Sequence, residues 1–190
     1  MALLDFFNDR SGSREVAHGS DGRVNTSSRS DSRAYYNSRD VKKSFALPFD
    51  DAACSAGDVN VVLFNNDVTD KIVIRSIGVN ALNVAGFKLH TVTGTAGGGA
   101  VSATPFNLHV GEADAVVTAS TVANSDSSPI TSITFDKLID HLSVVSSGHE
   151  EFRLGDQLRL AKGQGIAIEM DSGANATRVF GVIFFYFETD

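Results

Sequence analysis

The sequence predicts an all-β chain: an antiparallel β-sandwich or jelly roll of about eight or more strands, preceded by an extended, largely irregular N-terminal arm. Three observations predict it. From residue 45 onward, short alternating or β-branched runs recur every 8–12 residues or so, separated by polar turns, which is the cadence of sandwiches and jelly rolls. Residues 1–44 differ in composition from everything after them, which divides the chain into an arm (1–44) and a body (45–190). Finally, the closing run Arg178–Glu188 is apolar on both faces, with Val179, Ile183, Phe185 and Phe187 on one and Phe180, Val182, Phe184 and Tyr186 on the other. A strand with one wet face should alternate, so this one calls for cover on both sides. One side is the sandwich core; the other is a second layer, a subunit interface or the arm.

Residues 11–44 of the arm are rich in Ser, Arg, Asp, Asn and Gly, as in Ser27-Ser-Arg-Ser-Asp-Ser-Arg33, and nearly free of aliphatic residues. Such a segment cannot bury enough apolar area to offset its ordering entropy alone. Two clusters suit it to docking on a partner or neighbouring subunit: Leu3, Leu4, Phe6 and Phe7 at the tip, and Tyr35 and Tyr36 near the base, with Arg29 and Arg33 between them; the alternative is a tip that forms a short helix folded back on the same body.

The body reads in order as follows. Phe45–Phe49 alternates and meets Pro48, as an edge or opening strand does. Asp50–Gly57 reads as a loop, Val59–Phe64 as a strand, and Lys71–Val79 as a long strand rich in β-branched residues. Gly86–Val92 alternates with Phe87 and Leu89 inward and Lys88 and His90 outward, then runs into the flexible tip Thr93–Gly99. Strands are expected near Ala103–Val110 and at Ala115–Val122. Ile130–Ser147 is ambiguous: Phe135, Leu138, Ile139 and Leu142 have helical spacing, yet the same stretch reads as two short strands with one helical turn at Asp136–Asp140. Glu150–Leu154, Gln157–Ala161, Ile166–Met170 and Arg178–Glu188 complete the set.

Composition narrows the function. The chain of 190 residues has net charge −7, a single cysteine, Cys54, and no Trp. One cysteine excludes an internal disulfide. The longest apolar run, Val179–Phe187, falls far short of the ~20 residues of a spanning helix, and Met1–Arg10 lacks the basic start of a signal peptide; we therefore expect no membrane partner. The arm holds 8 Lys/Arg against 6 Asp/Glu, and the body 8 against 17. An acidic body argues against nucleic acid, which needs a basic footprint.

Catalytic patterns are missing. The histidines (His18, His90, His109, His141, His149) show no metal-ligand spacing, no Gly-x-Ser-x-Gly elbow occurs, and Gly97-Gly-Gly99 and Gly163-Gln-Gly165 read as hairpin turns rather than phosphate loops. Acid pairs stand at Asp50/Asp51, Glu112/Asp114 and Glu150/Glu151, without calcium-loop spacing. We expect no catalytic residue, metal or cofactor.

The Ser/Arg-rich arm, the strand Lys71-Ile-Val-Ile-Arg-Ser-Ile-Gly-Val79, the alternating strand with its Gly-rich tip, and Leu158-Arg-Leu-Ala-Lys-Gly-Gln-Gly-Ile-Ala-Ile168 followed by the apolar closing strand together resemble small virion proteins of tailed bacteriophages. In particular they resemble jelly-roll head decoration (cement or auxiliary) proteins. The resemblance implies a non-enzymatic homotrimer, made in the host cytoplasm and carried on the virion, that sits on the capsid surface and clamps neighbouring copies of the major capsid protein. The arm residues Leu3, Leu4, Phe6, Phe7, Arg29, Arg33, Tyr35 and Tyr36 would dock, and Phe180, Val182, Phe184 and Tyr186 would face another subunit. A tail- or surface-associated jelly roll that binds a host glycan is the alternative. A small shell protein with its arm on the genome would need a more basic arm.

Overall fold

A computed structural model describes residues 43–67, 69–109, 111–113, 115, 117–122 and 129–189. Among the described residues there is no helix. Eleven strands run β1 (Ser44–Cys54), β2 (Val59–Phe64), β3 (Asp70–Ala81), β4 (Ala85–Gly98), β5 (Ala100–Ala103), β6 (Phe106–Asn107), β7 (Thr118–Val122), β8 (Ile130–Val144), β9 (Gly148–Leu160), β10 (Gly165–Gly173) and β11 (Thr177–Thr189). They form two antiparallel sheets, in the orders β6-β1-β11-β3-β9 and β5-β7-β2-β10-β4-β8, consistent with a β-sandwich. The arm residues singled out above lie outside the described residues.

The core is what period-2 alternation builds when two sheets face each other. Leu47, Ile77 and Ile183 from the β1 sheet meet Leu63, Phe87, Leu89 and Ile166 from the β2 sheet, all fully buried. At one end Phe45 stacks on Phe185 at 5.6 Å while Phe187 meets Phe45 edge-on at 5.5 Å, arrangements that suit the ring quadrupole. The split of β11 follows the expected parity: Val179, Ile183, Phe185 and Phe187 all belong to this core.

Three expectations are corrected. Asp50–Gly57 is not a loop throughout, because β1 continues to Cys54; Asp50 and Asp51 pair with Phe180 and Val179 of β11. Thr93–Gly99 is not a free tip, since Gly94, Gly97 and Gly98 pair with Ile133, Thr131 and Ile130. Finally, Ile130–Ser147 contains neither a helical turn nor two strands. It is one strand, β8, whose register against β4 slips at Leu89/His90 and Thr91/Val92. Each slip adds a residue on the β8 side, and an extra residue every few positions converts period 2 into something that mimics helical spacing. Likewise Glu150–Leu154 and Gln157–Ala161 fuse into β9 through Gly155 and Asp156, both at positive φ. Pro48 does sit where an edge strand tolerates it, since β6 pairs β1 only at Phe45 and Ala46.

Candidate binding face on the outer side of the β1 sheet

The outward side chains of the β1 sheet form four cross-strand rows. Ser44, Tyr186, Val73 and Arg159 make the first; Ala46, Phe184, Ser76 and Arg153 the second; Pro48, Val182, Gly78 and Glu151 the third; Asp50, Phe180, Asn80 and His149 the fourth. β6 extends two of them, since Phe106 pairs with Ala46 and the Leu108 N–H donates to the Ser44 carbonyl at 2.9 Å.

This face divides lengthwise. The β6-β1-β11 half is apolar and open: Phe106 is 48% exposed, Leu108 44% and Phe180 38%, with Pro48 exposed and Val182 and Phe184 half-buried beside them. The β3-β9 half is polar. Arg159 Nε donates to Glu188 at 2.8 Å, Arg153 Nε to Glu151 at 3.1 Å, and the His149 ring shares a 3.1 Å hydrogen bond with Asn80 while lying over Gly78. Arg178 closes the far end with a two-pronged contact to Asp50 at 3.0 and 2.6 Å and stands 5.6 Å from the Phe180 ring centroid, a stacked and bidentate use that Lys could not reproduce.

Burial falls along the rows. Tyr186 and Val73 point away from the core yet are 1% and 0% exposed, a small cluster of their own; by the fourth row the face is open. Of the four expected interface residues, the structure therefore brings Phe180, Val182 and Phe184 onto an accessible strip and encloses Tyr186.

Between the first two rows lies a cleft of 390 Å³, lined among others by Ser44, Leu108, Phe184 and Tyr186, with Arg75 and Glu151 on its walls. Arg75 is the extra residue where β3 slips against β11, and a bulge of this kind bends the strand and re-aims a side chain; against β9 the surplus is on the other side, with residues 154–157 opposite Arg75. A hydrogen bond from the Ser76 side chain, helped by the Arg153 guanidinium, holds the Glu151 carboxyl below the usual carboxylate range. Phe106 and Leu108 were missed as site residues in the sequence; the only signal was two apolar residues in a stretch otherwise broken by Pro105 and Gly111.

The remaining polar groups are spread over several strands of both sheets. Neighbours on a strand point to opposite faces, so Asp50 turns out to Arg178 while Asp51 turns in, accepting from Asn60 Nδ2 at 3.0 Å and from the Ala53 N–H at 3.0 Å. Burial pushes the Asp51 carboxyl up and the Cys54 thiol up to about 12, which leaves Cys54 a poor nucleophile. His90, expected on a solvated face, is mostly covered instead: it contacts Glu169 at 2.9 Å and stacks on Phe135 at 4.4 Å. His141 lies 3.7 Å from Asp171, which also pairs with Lys88. No group of three His, Cys, Asp or Glu among the described residues stands where it could hold a metal ion, and no helix among them is long and apolar enough to cross a membrane. No family model, curated protein or solved structure matches the chain.

Proposed function

We propose that the chain is a non-enzymatic structural protein that works by association: a jelly-roll capsid decoration (cement) protein of a tailed bacteriophage. It sits as a homotrimer on the outer head surface and bridges neighbouring copies of the major capsid protein, with the arm as its docking device. The observation that carries the reading is the open apolar strip Phe106, Leu108, Pro48, Phe180, Val182 and Phe184. Contiguous exposed apolar patches are rare on monomers and mark places where another surface sits. A closed symmetric ring would bury such a strip without leaving an unpaired copy. The arm suits the second contact by composition: it is a polar segment with an apolar tip (Leu3, Leu4, Phe6, Phe7), and several arms per assembly bind with avidity even if each is weak.

The test is native mass by light scattering of the full chain and of a Phe180→Asp/Val182→Asp double variant. We expect a trimer and a folded monomer, the monomer losing co-sedimentation with phage heads. An unaltered mass in the variant would remove the strip from assembly and the reading with it.

A further inference from the structure

We propose that the outer side of β8 is a second docking surface, one that takes a protein partner whose own surface is apolar and rimmed by lysine or arginine. It lies on the opposite side of the sandwich from the strip. It goes beyond the assembly reading, because it uses none of the strip's residues and its test does not depend on the strip.

Three large side chains make the surface: Phe135 is 43% exposed, Leu138 55% and Ile139 38%. Phe135 pairs with Val92 and Leu138 with His90, and Val92 packs in the apolar cluster on the side of the β2 sheet away from the shared core. Phe135 and Leu138 therefore share the outer face of that sheet. Ile139 is the surplus residue between Leu138 and Asp140. Phe135 is held in place: it stacks on His90 at 4.4 Å, and His90 in turn contacts Glu169 at 2.9 Å. An aromatic anchor whose position is already set loses less freedom on binding.

The mode of contact follows from the strand. β8 is the last strand of its sheet, and an open edge invites pairing with another strand. Here the slips at Leu89/His90 and Thr91/Val92 each leave an extra residue on β8, and such bulges interrupt the ladder that strand addition needs. The surface works through its side chains.

Charge selects the occupant. On this outer face Glu169 pairs in register with Lys88, and Asp171 bonds to the same ammonium. Asp136 adds a third carboxylate from β8 itself, exposed like the trio. Three carboxylates thus stand against one lysine. Lys137 and Asp140, opposite Thr91 and the core residue Leu89, offset each other on the inner side. Nucleic acid and anionic lipid are repelled by this excess, and a second copy of the same face would set like charge on like charge. The strip of a neighbouring subunit does not fit either, since head-to-tail contact between opposite faces builds an open row rather than a closed ring. An apolar surface with a cationic rim gains from both burial and charge.

The experiment uses the full chain and two labelled amphipathic helical peptides of the same pattern, one of Leu and Lys and one of Leu and Glu, followed by fluorescence anisotropy. We expect the Leu/Lys peptide to bind about tenfold more tightly than the Leu/Glu peptide, and to weaken as NaCl is raised. Phe135→Ser/Leu138→Ser should weaken it about tenfold. Asp136→Lys, which leaves the apolar trio intact, should weaken it severalfold and so decides the matter if the double variant does not fold. Equal affinity for the two peptides, or binding that neither variant changes, would overturn the proposal. A native mass that rises with concentration, and stops rising in Phe135→Ser/Leu138→Ser, would overturn it in favour of a second copy.

Discussion

The two sheets answer the same problem differently on their outer faces. Each carries apolar side chains on the side away from the shared core. On the β2 sheet, Val59, Val62, Phe64, Val92, Ile130 and Ala167 are buried under 5%, with Ala96, Ala100 and Ile133 packed against them. The described side chains packed on it come from the β4–β5 hairpin and the start of β8. On the β1 sheet no described element does this for Phe106, Leu108 and Phe180. An apolar outer patch is therefore no sign of function by itself; what matters is whether the chain's own segments close it.

That contrast can be broken by experiment. The largest effect should come from Phe64→Ala on the covered face, which deletes a side chain only 4% exposed and should cost about 3–5 kcal/mol in urea unfolding, against less than about 1 kcal/mol for Phe180→Ala in the isolated subunit. Equal costs would mean that the two faces are equally closed. Next comes Gly181→Ala. A Cβ there would stand 2.1 Å from the Gly78 carbonyl oxygen and 2.6 Å from the Phe49 ring, so we expect a loss of about 1–3 kcal/mol from overpacking; this separates damage to the inner side of β11 from damage to its outer strip.

A smaller, pH-dependent effect is expected at Asp51. Its folded pKa is raised by burial, so its protonated form is favoured in the native state. The stability it contributes is complete below the ordinary carboxylate pKa of about 4 and is lost as pH rises through the folded value. Asn60 Oδ1 is buried without a hydrogen-bond partner among the described residues, which a protonated Asp51, or an asparagine in its place, could satisfy once the Asn60 amide turns over. Asp51→Asn should therefore flatten the melting temperature between pH 4 and 7 and raise it at pH 7; a variant that melts lower at every pH would show that the carboxylate is needed. The smallest effect is no effect: Cys54 should ignore thiol reagents in the native protein and react once unfolded.

Much of this architecture was legible in the residues. Period-2 runs such as Phe87–Leu89 and Ile166–Ile168 announce their strands, and the double-faced β11 announces an outer surface needing cover. What was not legible shares one cause. Bulges at β4–β8 and at Arg75 interrupt the period on which such reading depends, so β8 looked partly helical and the cleft that Arg75 lines left no trace. The open strip was only half visible: Phe180, Val182 and Phe184 stand out in β11, but Phe106 and Leu108 reach it through a pairing between residues 45–46 and 106–107 that no local pattern encodes. Tyr186 shares the parity of its neighbours but is only 1% exposed, which sequence alone does not reveal.

The pairing of β1 with β11 also decides how the body bears force. Residues 44 to 51 lie against 186 to 179 in continuous register, and the arm leaves from the Ser44 end. A pull on the arm along the strand axis loads all of those backbone hydrogen bonds at once, in shear, whereas a pull that separates the arm from the neighbouring end of β11 opens them one at a time. A load along the strand axis is of the first kind, and the same sheet that yields readily to peeling would hold it.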